Sequence, residues 1–208
     1  MDEPKSLRCP KARAQRLAAI DACHVAPLTD FVRALRTQMG AEYGIPYFDP
    51  LDGGTRADCL FLLEAPGAKA VASEFISRDN PDETAKNVFL LSKEAGIDRR
   101  RTVLWNVVPW YIGSGKKIRP ANSRDLGAAA PSLIELAALL PALHTIVLLG
   151  KKAATASRPI AQLLPAVQVF SAPHPSPLFV NRRPENRAIL LQCFQQVADQ
   201  LPMWSDVA

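Results

Sequence analysis

A histidine shares the segment APHPSPLF, Ala172 to Phe179, with three prolines, directly after the apolar run Val167–Phe170. A neutral imidazole carries one N–H donor, and a donor that is in place before reaction stabilises developing negative charge without reorganisation. Because proline fixes the backbone angle φ, the three prolines restrict the loop that carries His174. The segment therefore predicts a preorganised hydrogen-bond donor at the end of a strand.

Polar residues also follow the other apolar segments of the chain. These segments are continuous runs without strict alternation, as is typical of parallel strands covered on both faces: Cys59–Leu63, Val103–Val108, Thr145–Leu149 and Val167–Phe170. Glu64 follows the first run, Asn106 lies in the second, and Gly150 follows the third. Ligands of open parallel sheets bind beyond the carboxyl ends of the strands. We therefore expect Glu64, Asn106 and His174 to meet at one edge of the sheet.

Between these runs, apolar residues recur at a spacing near that of a helix. The predicted helices are Leu28–Met39, Thr84–Ala95, Ser132–Leu140 and Pro184–Leu201. Parallel strands joined by crossover helices bury both faces of their sheet. The sequence thus predicts an α/β three-layer sandwich with a central four-stranded parallel sheet. We expect one domain over residues 1–208, in which residues 1–27 form a helical N-terminal arm.

Composition and charge narrow the class of protein. The 208 residues carry a net charge of +5, with a pI near 9.2, which modestly favours a polyanionic partner. The charged start of the chain does not resemble a signal peptide, and no apolar run is long enough to span a membrane, so we expect a cytoplasmic location. We also expect a monomer. The four cysteines are widely separated, so we expect no metal and no other cofactor.

Two Gly–Lys segments, IGSGKK and LLGKKAA, invite comparison with a phosphate-binding P-loop. Neither places Ser or Thr directly after the lysine, so the hydroxyl ligand for magnesium is missing. The spacing therefore argues against hydrolysis of nucleoside triphosphates.

Two motifs resemble those of the uracil-DNA glycosylase superfamily. LLEAPG, Leu62 to Gly67, is similar to the GEAPG motif of the iron-sulfur branch, and HPSP, His174 to Pro177, is similar to the motif at the family's last strand. The segment Asn87 to Trp110 resembles the family's central helix, loop and second strand, so the resemblance covers about residues 45 to 200. The close cysteine pair of the iron-sulfur branch is absent, so no cluster is carried over. Ala65 stands where other branches have an aspartate or asparagine that orients water.

The resemblance implies removal of uracil, or of a related deaminated or damaged base, in base excision repair of DNA, by a monofunctional hydrolase. His174 would stabilise the leaving base as an anion through its O2 atom, and Asn106 would read the polar edge of uracil. Glu64 would position water or balance charge on the sugar. The remaining substrate contacts are expected from the first motif and the loop that follows it: Ala65, Pro66, Gly67, Phe75 and Asn80.

Phe75 is expected to stack on the extruded base or, equally, to belong to the core. Asp79 and Asn80 could place the water instead of Glu64, and we expect Asp82 to cap a helix. Leu178 or Phe179 is expected to fill the space that the extruded base leaves. DNA contacts are expected from Ser176, Leu178, Phe179, Arg182, Arg183, Arg187, Lys116 and Lys117.

Two other functions stay open. A DNA-binding protein of the same fold with little or no catalysis would retard uracil-containing DNA without cleaving it. An enzyme for small nucleosides would act on free deoxyuridine and would not need the basic segment after HPSP.

Overall fold

The computed structural model describes residues 3–40, 42–114 and 117–203. Its strands are β1 Tyr47–Phe48, β2 Cys59–Leu63, β3 Phe75–Ile76, β4 Thr102–Asn106, β5 Gly113–Ser114, β6 Lys117–Ile118, β7 Thr145–Leu149 and β8 Gln168–Ala172. Its α-helices are α1 Pro10–Leu17, α2 Ala26–Met39, α3 Ala68–Ser73, α4 Glu83–Glu94, α5 Ser123–Ala138, α6 Lys151–Ala154, α7 Ser157–Leu163, α8 Pro177–Val180 and α9 Glu185–Gln200. Short 3₁₀ turns span Ser6–Arg8, Gly54–Arg56 and Arg99–Arg101.

The central sheet contains four parallel strands in the order β4-β2-β7-β8. Cys59 at the start of β2 lies opposite both Thr102 of β4 and Thr145 of β7, so the carboxyl ends of these strands are level. The predicted bounds of β2 and β7 are confirmed to the residue. β4 starts one residue and ends two residues earlier than predicted, and β8 starts one residue and ends two residues later. Pairing of Thr102 with Cys59 and of Ala172 with Leu149 adds the residues beyond each apolar run.

Helices cover both faces of the sheet. Successive residues of a strand point to opposite faces. On one face, the ring of Phe61 stacks on Phe194 of α9, with ring centroids 5.3 Å apart. On the other, Trp105 packs against Phe31 of α2 at 6.1 Å and stacks on Phe48 at 4.0 Å. The predicted three-layer α/β architecture is therefore confirmed.

The predicted helices all occur, with bounds within two residues of those predicted except for the start of α5. α5 starts at Ser123, well before Ser132, and contains Pro131. A proline inside a helix removes one backbone hydrogen bond. At the start of α5, the side chain of Asn122 accepts from the Asp125 N–H while Asp125 accepts from the Asn122 N–H, a capping box that stabilises this earlier first turn.

The N-terminal region contributes the first 3₁₀ turn and α1, and α2 begins at Ala26, inside the range predicted for the arm. Two small sheets flank the centre, with β1 and β3 parallel and β5 and β6 antiparallel. No helix in the described part of the chain is both long and apolar enough to cross a bilayer.

Candidate active site

A cavity of about 320 Å³ lies at the carboxyl edge of the central sheet. Its walls come from the loop after β2, the start of α4, the end of β4 and the loop after β8. Seven residues predicted for the site line it: Glu64, Ala65, Pro66, Gly67, Asn80, Asn106 and His174. The level strand ends thus bring together residues that are more than 100 positions apart in the sequence.

His174 is held by contacts on both sides of its loop. The Asn87 side chain of α4 donates from Nδ2 to the carbonyl oxygen of Pro175, at 2.8 Å. The Gly150 N–H donates to the carbonyl oxygen of Ala172, also at 2.8 Å. Gly150 has φ of +97°, and a side chain there would lie 3.0 Å from both Cβ and Cδ2 of His174. The imidazole therefore packs directly against a position that only glycine fits.

The surroundings of His174 favour its neutral form. Burial lowers the pKa of His174 below its usual value, because the charged imidazolium would lose contact with water. The negative charges of Glu64 and Asp82 act in the opposite direction but do not reverse the shift. At neutral pH the ring therefore has one N–H donor and one acceptor nitrogen.

Asn106 lines the cavity and carries a side-chain donor without a partner among the described residues. Its residue is 4% exposed and ends β4, opposite Leu63 in the register of the sheet. Its Nδ2 atom is buried and has no hydrogen-bond partner among the described residues. A buried donor without a partner costs about 1–3 kcal/mol, so the site is complete only when a ligand supplies an acceptor.

Two of the described residues that line the cavity carry carboxylates, Glu64 and Asp82. Glu64 accepts from the N–H of Ala121 through Oε1, at 2.6 Å. Asp82 is the N-cap of α4 and accepts from the N–H of Ala85 at 2.9 Å, which confirms its predicted capping role. Burial raises the pKa of Asp82, and the helix N–H groups oppose that shift. The sequence argument assigned Asp82 only to the cap and missed its place in the cavity wall.

The predicted stacking role of Phe75 is not supported by its position. Phe75 is 0% exposed, lies in β3 beside Tyr47 of β1, and does not line the cavity. Asn80 does line the cavity, but its amide is engaged on the inner side. Its Nδ2 donates to the Phe75 carbonyl oxygen at 2.8 Å, and its Oδ1 accepts from Ser73 Oγ at 2.6 Å.

Asp79 lies in a buried ion cluster and is absent from the cavity wall. The cluster pairs three aspartates with three arginines: Asp49, Asp52, Asp79, Arg16, Arg78 and Arg99. Arg16 and Arg99 bind the Asp79 carboxylate at 2.8 and 2.9 Å. Burial raises the pKa of Asp52 to about 6, although Arg99 and Arg78 oppose the shift. Because Arg16 and Arg99 both bind its carboxylate, Asp79 serves to hold the buried ion cluster together.

The segment after His174 forms a small projection. Leu178 is 86% exposed in α8, whereas Phe179 and Ser176 are half-buried. Arg182 and Arg183 are exposed, and Arg187 is exposed and paired with Glu94. Lys117 belongs to β6, and Lys116 lies outside the described residues.

Metal-binding groups of three or more His, Cys, Asp or Glu side chains do not occur in residues 3–40, 42–114 and 117–203. The cysteines are free, with Cys59 buried, Cys193 half-buried, and Cys9 and Cys23 exposed. The described polar side chains that line the cavity include carboxylate, amide and imidazole groups.

Three solved structures illustrate what the chain is similar to. The chain is similar to SMUG2 from Pedobacter heparinus, with a TM-score of 0.50 and 13% identity over 83% of this chain and 81% of that one. It is also similar to a solution structure from Methanosarcina acetivorans with a provisional uracil DNA glycosylase description (TM-score 0.47, 17% identity, 71% of this chain and 93% of that one). A mimivirus UNG variant in complex with UGI has a TM-score of 0.38 at 13% identity, over 83% of this chain and 72% of that one.

The sequence comparison is decisive for the family. No curated protein matches the chain. The family model for the uracil DNA glycosylase superfamily matches residues 50–198, which span both motif loops and every strand of the central sheet. With a match over more than half of its length, the chain belongs to the uracil DNA glycosylase superfamily.

Proposed function

We propose that the protein is a monofunctional DNA glycosylase that hydrolyses the bond between deoxyribose and uracil, or a related damaged base. The observation that carries this proposal is the buried, unpartnered Nδ2 donor of Asn106 in a cavity that His174 also lines. A base in a duplex cannot reach such a cavity, so the nucleotide must leave the stack.

Asn106 is suited to select the base. An asparagine amide offers one acceptor and two N–H donors, and uracil presents the N3–H donor beside the O4 acceptor. Cytosine presents an acceptor and a donor in the reverse order, so the same amide orientation would leave groups unpaired. The volume of about 320 Å³ lies at the lower end of the range for small-molecule sites, as expected for one base.

His174 is suited to stabilise the leaving base. Bond cleavage places positive charge on the sugar and negative charge on the base, and the base carries much of its charge on O2. A neutral imidazole N–H donating to that oxygen stabilises the anion without a change in protonation. Contacts from Asn87 and Gly150 hold the loop before the reaction begins.

The two cavity carboxylates are suited to accept a proton from the attacking water. Water attacks C1′ of the sugar, the bond to the base nitrogen breaks, and one proton of the water must leave. Glu64 or Asp82 could accept that proton, and either charge would favour the cationic sugar. Lys152 donates to the Ala121 carbonyl oxygen at 3.0 Å, and Lys69 lines the cavity but is exposed, so no Schiff base is assigned to either lysine.

DNA is the proposed partner, and the projection after HPSP is the proposed wedge. An apolar side chain as exposed as Leu178 replaces stacking that is lost when a base leaves the duplex. Arg182 and Arg183 follow it and are exposed, as phosphate contacts require. Arg187 would have to exchange Glu94 for a phosphate.

A catalytically weak DNA-binding protein is the second candidate, and Ala65 favours it. This position lines the cavity but supplies no polar side chain for water. If neither Glu64 nor Asp82 replaces that group, the site would bind an extruded base without cleaving its bond.

Excision from labelled oligonucleotides tests the proposal. Single- and double-stranded DNA with one uracil is incubated with wild type, His174→Ala or Glu64→Gln, treated with alkali and resolved by length. We expect scission by wild type and loss of roughly 100-fold or more in His174→Ala. Retardation of uracil DNA with no scission at high enzyme concentration would refute uracil excision and favour the second candidate. Release of base from free deoxyuridine alone would favour a nucleoside enzyme.

A further inference from the structure

The N-terminal arm, here residues 3–25, precedes the segment that matches the family and is docked firmly on the domain. Leu7 is 2% exposed, and its N–H donates to the carbonyl oxygen of Asp79 at 3.1 Å. The Arg16 guanidinium binds Asp49 at 2.9 Å and Asp79 at 2.8 Å, with its side chain 6% exposed. Removal of either partner would leave an uncompensated buried charge, so these contacts fix the position of the arm.

A second cleft, which we call the arm cleft, lies between this arm and α3 and has a volume of about 290 Å³. Its lining residues are Leu7, Arg8, Arg13, Lys69, Ala72, Ser73 and Pro81. Three of these side chains are cationic and none is acidic. The arm sequence from Lys5 to Arg16 likewise contains five basic residues and no acidic one.

The cations of the arm cleft are not neutralised. Arg8 and Lys69 are exposed, and neither has an acidic partner within the described residues. Arg13 donates to the Ala72 carbonyl oxygen at 3.3 Å, and its buried Nε has no partner there. The arm cleft therefore concentrates unpaired positive charge, which attracts anions.

The arm cleft and the active-site cavity share a wall. Lys69 lines both of them. Ser73 of the arm cleft donates through Oγ to Oδ1 of Asn80, which lines the cavity, at 2.6 Å. A phosphate in the arm cleft would thus lie one wall away from a base in the cavity, and adjacent phosphates of an extruded nucleotide must lie close to its base.

We propose that the arm cleft binds the phosphodiester backbone of the DNA strand that carries the extruded nucleotide. This inference rests on the proposed function and adds to it the N-terminal arm, which lies outside the family match, whereas Lys69 lies within that match. Arg8 and Lys69 contact phosphate directly, and Arg13 shapes the floor of the arm cleft. Such contacts carry no base specificity but set the position of the strand.

Salt-dependent binding of a fluorescein-labelled duplex with one deoxyuridine tests the proposal. The variant is Arg8→Ala/Lys69→Ala, and the matched control is Arg56→Ala/Lys93→Ala, which removes the same charge from exposed residues that line neither cleft. We expect the first variant to bind roughly tenfold more weakly near 0.1 M salt and to lower the slope of log K against log salt by about 1–2. We expect Arg8→Lys/Lys69→Arg to restore both quantities, because it preserves the charge.

A slope equal to that of wild type in the Ala variant would overturn the inference, as would an equal loss in the control. Thermal denaturation of each variant establishes that it is folded. Because the readout is binding, a wild type that binds the duplex without ever excising uracil would refute the proposed activity and leave the arm cleft standing. Excision of uracil by wild type, together with unchanged DNA binding by Arg8→Ala/Lys69→Ala, would support the proposed activity and refute the arm cleft as a binding site.

Discussion

Replacing Gly150 by alanine tests whether the packing around His174 controls both stability and reaction. Gly150 has φ of +97° and ψ of 162°, a combination that is essentially confined to glycine. The new methyl group would lie 3.0 Å from His174 Cβ and Cδ2, and 3.3 Å from Cγ. Since Cβ is fixed to the backbone, the loop itself must shift by a few tenths of an ångström.

The structure sets the size of both effects. Backbone strain of this kind costs about 1–3 kcal/mol. For a domain of this length, that corresponds to a fall in Tm of roughly 2–12 °C. Displacement of the His174 imidazole donor also weakens stabilisation of the leaving anion, and we expect excision to slow by about 10- to 100-fold.

Gly127→Ala is the matched control. Gly127 lies inside α5, and nothing lies within 4 Å of a Cβ placed there. Alanine in a helix interior is about 0.5–1 kcal/mol more stable than glycine, so this variant should gain stability and keep its activity. Differential scanning calorimetry and single-turnover excision compare the two variants. Unchanged Tm and rate in Gly150→Ala would refute the contact; lower Tm with an unchanged rate would separate His174 placement from catalysis.

Three further outcomes follow from the cavity wall. In Asn106→Leu we expect excision to fall by roughly 100-fold with stability unchanged or higher, because the variant removes a donor that is unsatisfied without ligand; a large fall in Tm with intact excision would contradict this reasoning. Asp82→Asn preserves the helix cap, because Asn caps a helix as well as Asp. A slower excision rate at constant Tm would therefore identify the Asp82 carboxylate as the group that accepts a proton from water. Glu64→Gln is compared in the same assay. Burial lowers the pKa of His174 in the folded protein, so the unfolded chain binds more protons just below pH 6.5. The free energy of unfolding that this group contributes is therefore present above that pH and is lost as the pH falls through the folded pKa. In His174→Gln we expect the free energy of unfolding to fall less steeply with pH over this range. An identical acid profile in that variant would assign the pH dependence elsewhere.

The strand ends and their motifs could be predicted because the signals are local. β2 and β7 are continuous apolar runs, and their ends are marked by Glu64 and Gly150. Parallel strands align their carboxyl ends, so the positions of Glu64, Asn106 and His174 at strand ends predict that they line one cavity. The resemblance to a family rested on the same short segments, and the family match later covered them.

The sequence by itself therefore determined the sheet, the edge where ligands bind and the residue types that line it, because periodicity and strand-end chemistry depend on near neighbours. Only the tertiary structure decided that Phe75 is buried in β3, that Asp79 belongs to an ion cluster, and that Asp82 lines the cavity as well as capping its helix. It also decided that Arg16 reaches Asp79, 63 positions away, and so places a basic arm beside the site. Such pairings depend on which surfaces pack together in three dimensions, and local sequence patterns carry no record of that choice.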